Sequence, residues 1–310
     1  MMNTCVHVKV PATSANLGPG FDSLGLALSL YNEVYFWIDD TAKGITVTVT
    51  GEGKGIETLP AEENLVVKSI QSALVATGNT LPRGGRLHLV NRIPFKRGLG
   101  SSSAAIVGGL LVGNQLAGNT LRKNQLLALA TEIEGHPDNV APALFGGLTV
   151  SIMVDQKPLT HTLRLPQELQ FVVVIPEIEI ETETARKILP AQVDRQTAIY
   201  NMGRIGYLLS SLWLHQYDQL QEAMQDKIHV PYRLPLIRGG KEALQAALAA
   251  GAHGATISGS GSTLLAVATT KTQEIARAMT EAFASQQVAV QTHILSGVDT
   301  GASGVIEEKR

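Results

Sequence analysis

The chain has 310 residues, of which 44% are hydrophobic and 17% charged, and its 27 acidic and 25 basic side chains leave a formal net charge of −2. That composition describes a folded globular protein large enough for one big core or two ordinary ones, and it excludes intrinsic disorder. A near-neutral balance with 5% aromatic residues provides neither a basic field for nucleic acid nor a base-stacking platform.

In chain order, the opening "MMNTCVHVKV" (1–10) lacks the apolar core of a secretory leader, and no apolar run reaches the length of a membrane span. A cytoplasmic protein with no membrane partner is therefore expected. Cys5 is the sole cysteine, which rules out an intramolecular disulfide and a thiolate metal cage. A short first strand leads into the loop "PATSANLGPGFDSLGLAL" (11–28), which carries Asn16 and Asp22 among small residues. "GITVTVTG" (44–51) alternates Ile45, Val47 and Val49 with threonine, the period of a half-buried strand, and "RLHLVN" (86–91) is another. "PFKRGLGSSSAAIVGG" (94–109) is a glycine- and serine-rich loop feeding a helix whose Gly108, Gly109 and Gly113 permit close packing. "NQLLALATEIEG" (124–135) reads as a helix ended by Gly135, and "VAPALFGG" (140–147) leads to the strand "LTVSIMV" (148–154).

Residues 158–170 are polar and irregular, with Pro158 and Pro166, and mark the boundary between an N-terminal domain of residues 1–165 and a C-terminal domain of residues 166–310. Beyond it come the buried strand "FVVVIP" (171–176) and the short helix "ETARKILP" (183–190), which proline stops. Helical segments follow at 202–214 and 239–251, then a strand–turn–strand at 254–269. A last helix over 273–286 places Ile275, Met279, Ala282 and Phe283 on one face. Strands and helices mix without steady βαβ alternation, so a two-domain α+β fold is favoured over a doubly wound sheet.

Three loops rich in glycine and small residues could carry chemistry. A helix N-terminus preceded by flexible residues presents free N–H groups and a positive dipole end, which suit an anion, although serine there is also a plain helix cap. "GLGSSS" has serine where a dinucleotide fingerprint needs its third glycine, and neither G-x-x-x-x-G-K-[ST] nor G-x-S-x-G occurs anywhere. The loops at 11–28 and 257–267 read singly as tight turns; together with 94–104 they are consistent with convergence on one polar ligand. A fourth segment, "EIEGHPDNVAPALFGG" (132–147), clusters Glu132, Glu134, His136, Asp138 and Asn139 at a helix end. One histidine and no thiolate disfavour zinc, whereas oxygen donors suit magnesium; an Asx-turn at a solvated helix end is the plain alternative.

"PATSANLGPGFDSLGLAL", "PFKRGLGSSSAA", "EGHPDNVAPALFGG", "TARKILP", "PYRLPLI" and "ISGSGS", in this order, resemble the homoserine kinase family, within the superfamily that joins galactokinase, homoserine kinase, mevalonate kinase and phosphomevalonate kinase. The match runs from about Val8 to Val267. The resemblance implies an α+β N-terminal domain and a ferredoxin-like C-terminal domain with the active site between them. It also implies Mg²⁺-ATP-dependent phosphorylation of L-homoserine to O-phospho-L-homoserine in threonine biosynthesis. Residues Pro94, Phe95, Lys96, Arg97, Gly98, Leu99, Gly100, Ser101, Ser102, Ser103 and Ala104 would wrap the ATP phosphates, the bare glycines giving close backbone approach. Ser102 and Glu134 would hold Mg²⁺, with Glu132 the competing carboxylate.

For the substrate, the resemblance assigns Arg186 and Arg233 to the carboxylate, with Arg186 also beside the transferred phosphoryl group. Asn16, Asp22, His136 and Asp138 would surround the amino-acid end, Asn139 would lie near the hydroxyl, and Gly259 of the late glycine loop would border the substrate. Related kinases place an aspartate as base where this chain has Asn139, a neutral amide, so direct attack by the hydroxyl is expected, assisted by Arg186. Ser262 stands where the family carries proline, which would loosen that turn slightly. The alternatives are a mevalonate-type kinase of another hydroxy acid and a ligand-sensing relative without activity; Asp22 and Asp138 favour an amino acid. Expected partners are the small-molecule substrate and a second copy of the chain as a homodimer, with no nucleic acid.

Overall fold

The structure is a computed structural model that describes residues 4–39, 41–53 and 55–308; the "MMN" of the opening stretch lies outside them. Strand β1 (Thr4–Ala15) and strand β2 (Leu24–Ile38) pair antiparallel, with Val6, Val8, Val10 and Ala12 alternating inward and buried. Much of the stretch expected as a loop at 11–28 is therefore strand, and the connection is confined to residues 16–23. The apolar alternation of Leu24, Leu26 and Leu28, all fully buried, extends the ladder to that point.

β3 (Gly44–Gly51), α1 (Leu65–Ala76) and β4 (Gly84–Asn91) follow, β3 running parallel to β4. Asn64 caps α1 by accepting from the amides of Val66 and Val67. α2 (Ser101–Leu116) crosses α1 closely: a Cβ on Gly109 would lie 2.5 Å from the Val66 carbonyl oxygen, and one on Gly113 2.5 Å from that of Ile70. The expected close packing of this glycine-rich helix is therefore against α1. Next come α3 (Lys123–Glu134), ended by Gly135 at φ 93°, then α4 (Pro137–Phe145), β5 (Leu148–Val154) and β6 (Lys157–Leu163).

Strand β6 corrects the reading of 158–170 as irregular. Asp155 and Gln156 both take positive φ, 49° and 62°, and so turn β5 into β6 as a two-residue hairpin. The turn lacks the Asn-Gly or Asp-Gly signature, so the sequence pattern there reads as irregular.

The second half holds β7 (Gln170–Pro176), α5 (Thr182–Lys187), α6 (Arg195–Trp213), α7 (Leu220–Ala223), α8 (Val230–Arg233) and α9 (Gly240–Ala249). It continues with β8 (Gly254–Ile257), β9 (Leu264–Ala268), α10 (Thr272–Ser285), β10 (Val290–Ser296) and β11 (Ser303–Glu308). Four of these strands form an antiparallel sheet in the order β10-β7-β9-β8. Counted from its own first strand that order is 4-1-3-2, the split βαβ arrangement of a ferredoxin-like domain. β11 instead pairs with β1, completing a seven-stranded first sheet ordered β11-β1-β2-β4-β3, with β5 on β2 and β6 on β5.

Two cores explain why "FVVVIP" is apolar throughout. Val172 and Val174 pack with Ile275, Met279 and Phe283 of α10, whereas Phe171, Val173 and Ile175 join the core of the first sheet. β7 is buried on both faces, so it carries a continuous apolar run in place of alternation. Among the described residues no helix is long and apolar enough to cross a membrane.

Candidate active site

A cavity of about 550 Å³ lies where the two halves meet, lined by the 16–22 turn, the 94–104 loop, the 134–139 segment, α5, Arg233 and the 259–260 turn. Every residue expected at the site lines it except Ser103, whose hydroxyl nonetheless reaches Glu134. The loops are tied to one another. Thr13 donates its amide to the Leu99 carbonyl, Gly259 to that of Ala15, and Thr263 to that of Arg97. The buried Ser258 hydroxyl reaches both the Ser14 hydroxyl, at 2.8 Å, and the Gly98 carbonyl, at 2.6 Å.

α2 starts at this cavity without a side-chain cap. Its N-cap, Gly100, has φ 69° and ψ 31°. The first N–H groups of a helix have no intrahelical acceptor, so here they are free to receive an anion. Gly100 is required for a reason other than ligand approach: a Cβ there would stand 1.9 Å from the Thr13 hydroxyl. Likewise a Cβ on Gly98 would meet the Ser258 carbonyl at 2.2 Å, so this glycine lets two loops of the chain approach each other. The same cavity has an apolar part lined by Val34, Leu65, Val66, Leu89 and Phe95. Sequence reasoning missed this apolar part; Asn64 before an apolar run was the available signal for its helix.

The metal-site candidates are distinct in geometry. The hydroxyls of Ser102 and Ser103 donate to the same Glu134 oxygen, at 2.9 and 2.6 Å. Glu132 is exposed and lies off the cavity. Hydroxyl and carboxylate oxygens beside a helix N-terminus fit a hard cation shared with phosphate oxygens.

At the other end, Arg186 grips Asp22 through two hydrogen bonds of 2.8 and 2.9 Å. Asp22 has φ 55°, and its amide donates to Asn16, whose own amide donates to the Gly259 carbonyl. Asn16 is 2% exposed, and both ends of its side chain bond within the chain, so it shapes the site. Acceptor atoms of Asp22, His136 and Asp138 lie within 4.8 Å of one another, and a very short hydrogen bond joins His136 to Asp138. Burial opposes protonation of His136. The bond to Asp138 and the charges of Asp138, Asp22 and Glu134 together outweigh it, and its pKa rises above the ordinary histidine value.

Arg233 is 2% exposed; its guanidinium donates to the Ala185 and Gly259 carbonyls. Burial, and then the nearby Arg186, push its pKa down to about 10. His229, wholly buried, bonds the Gly18 carbonyl through Nε2 and faces Arg233 through Nδ1, while burial holds its pKa below the usual value. Phe21, also unforeseen from sequence, lies under both guanidiniums, 5.5 Å from Arg186 and 5.1 Å from Arg233. Asn139 accepts a 2.8 Å bond from the Thr13 hydroxyl through Oδ1. Ser262, expected to loosen its turn, is fully buried and its hydroxyl bonds the Ile178 carbonyl, so it fastens the turn to the end of β7.

Comparison with known proteins matches residues 64–147 to the GHMP kinases N terminal domain and residues 208–285 to the GHMP kinases C terminal domain. A homoserine kinase of Desulfitobacterium hafniense is 41% identical over 303 residues, covering 97% of this chain and all of that one. The chain belongs to the homoserine kinase family of the GHMP kinases. A homoserine kinase of Carboxydothermus hydrogenoformans is 43% identical, with 98% of each chain covered. Among solved structures, the homoserine kinase from Cytophaga hutchinsonii superposes with a TM-score of 0.87 at 33% identity, covering 97% of each chain. The L. major mevalonate kinase, at 15% identity and a TM-score of 0.68, shares the fold. Family and fold thus agree with the resemblance carried by the six motifs.

Proposed function

We propose that this chain is an ATP-dependent homoserine kinase, forming O-phospho-L-homoserine from L-homoserine in threonine biosynthesis. One observation carries the reading. The uncapped N-terminus of α2 and a cluster of two arginines and two aspartates share a single cavity. Its phosphate end suits a nucleotide triphosphate, and its charged end suits a zwitterion. Magnesium, when bound, supplies divalent charge to the phosphate oxygens. Ser102 and Glu134 are the residues that would hold it.

The loop 94–104 cradles phosphate with backbone N–H groups and the dipole of α2 in the absence of a P-loop lysine. Arg233 and Arg186 receive the substrate carboxylate, for which the planar guanidinium is shaped. Asp22 and Asp138 receive the ammonium, and His136 fixes Asp138. With Oδ1 of Asn139 held by Thr13, its NH₂ group is the end left for the substrate hydroxyl. An amide takes up no proton, so the hydroxyl attacks the γ-phosphorus without a protein base: the new P–O bond forms as the bond to the β,γ-bridging oxygen breaks and ADP leaves, the hydroxyl proton passes to a phosphate oxygen, and positioning and charge stabilisation carry the rate.

The division at residues 165/166 belongs to the same proposal, with β11 returning to the N-terminal sheet. Location in the cytoplasm and assembly as a homodimer do too. ADP release measured with and without homoserine tests the activity. A mevalonate-type kinase would prefer a hydroxy acid, and a ligand sensor would release no substrate-dependent ADP.

A further inference from the structure

The charged end of the cavity is not evenly compensated. Arg233 is buried, and among the described residues no carboxylate lies within ion-pair distance of it; its guanidinium bonds the Ala185 and Gly259 carbonyls and faces His229. Arg186 and Asp22 neutralise each other through a bidentate contact. Among the described residues, the end of the cavity beside Phe21 therefore offers one cation without a carboxylate partner, Arg233, and one already holding an internal carboxylate, Arg186. A substrate read at both ends must separate that pair.

We propose that the Asp22–Arg186 ion pair is a specificity gate opened by partner exchange: the substrate carboxylate replaces Asp22 on Arg186 while its ammonium replaces Arg186 on Asp22. The inference rests on the kinase reading above and deepens it. Arg233, fixed by the Ala185 and Gly259 carbonyls, draws the carboxylate in first. Phe21 beneath both guanidiniums keeps Arg186 in place, so that the exchange changes partners and leaves the arginine where it is. A zwitterion satisfies both released charges. A hydroxy acid without the ammonium satisfies Arg186 alone and leaves Asp22 unpaired beside Asp138. The pair thereby selects against carboxylates that are not amino acids, an element of repulsion in addition to attraction. Both side chains are partly exposed, 43% for Arg186 and 33% for Asp22, so the pair is weak enough for a small ligand to open.

The test is calorimetric binding of homoserine and of 4-hydroxybutyrate to the wild type, Asp22→Asn and Asp138→Asn, alongside ADP release. Asparagine is isosteric and tolerates the left-handed backbone at residue 22, so this variant folds. In Asp22→Asn, homoserine should bind at least tenfold more weakly. 4-Hydroxybutyrate should bind about two- to fivefold more tightly than to wild type, the scale of a partly exposed bidentate pair. Asp138→Asn removes an equal charge that holds His136 and leaves Arg186 engaged, so it should not tighten 4-hydroxybutyrate. Unchanged 4-hydroxybutyrate affinity in Asp22→Asn, or equal gains in both variants, overturns the gate while homoserine-dependent ADP release still upholds the kinase. A wild type that neither binds homoserine nor releases ADP with it overturns both.

Discussion

Glu134 and Glu132 are two positions apart on one helix, and their environments separate them. Glu134 accepts from two serine hydroxyls at the start of α2, while Glu132 is exposed to solvent. Glu134→Gln removes the charge proposed to hold magnesium and is expected to lower turnover by at least about a hundredfold while raising the magnesium concentration needed for half-maximal rate. Glu132→Gln should stay within about twofold of wild type. Magnesium titrations of both variants decide it, and the opposite ranking would move the metal to the exposed carboxylate. His136 gives a second expectation at this scale. Its folded pKa stands above the unfolded value of about 6.5, so folding favours the protonated ring. The stabilisation is complete below about pH 6.5 and is lost as pH rises through the folded value. Urea unfolding at pH 6 and pH 8.5 should show a stability loss in wild type that His136→Gln lacks.

Among the elements, α2 shows how a loop and a helix share one requirement. At Gly100 an added Cβ meets both a left-handed backbone and the Thr13 side chain on β1. Gly100→Ala should therefore cost more than the roughly 1–2 kcal/mol of left-handed strain and should weaken ATP binding at least about tenfold, because the helix N-terminus must shift away from β1. Gly118→Ala is the control, since its φ is 76° with nothing within 4 Å of the added carbon. Equal urea midpoints and equal ATP affinity for the two variants would refute the assignment. The strands with clear alternation and the glycine- and serine-rich turn that opens α2 were legible in the sequence, because local spacing and turn chemistry determine them, whereas the charged residues that line the cavity were assigned to the site through the family resemblance. Partner choice was not legible. The bond that Asn16 makes to Gly259 and the placement of Phe21 under two arginines arise from tertiary contacts that no local window contains, and the hairpin at Asp155–Gln156 was missed because its turn lacks the usual glycine signature. Nor does any periodicity in "SGVIEE" announce that this last strand crosses back to the first sheet.

Taken as a whole, the molecule is held together by two devices far apart in sequence, one remote from the cavity and one beside it. The return of β11 to β1 lays down six paired positions, Thr4 with Glu308 through Lys9 with Ser303. The approach to β11 adds bonds from Gly147 to the Val298 carbonyl, from Val298 to that of Ala27 and from Ala302 to that of Ala143. The Ser258 hydroxyl is the second device, linking β1, the 94–104 loop and the turn after β8. These predict different losses. Removing residues 303–310 strips cross-strand pairs worth roughly 0.2–1 kcal/mol each and bares the edge of β1, so the melting temperature should fall and aggregation on heating should increase. The cavity is untouched by that cut, so KM for ATP and for homoserine should change by less than about twofold at 25 °C. Ser258→Ala removes one buried donor and leaves the Gly98 carbonyl unpaired, at a cost of about 1–3 kcal/mol. Because that carbonyl belongs to the 94–104 loop proposed to cradle the phosphates, KM for ATP should rise severalfold. Calorimetry and steady-state kinetics on both variants make the comparison. A truncated chain with impaired ATP affinity and unchanged melting would mean that β11 supports the site, and that the sheet is held together without it.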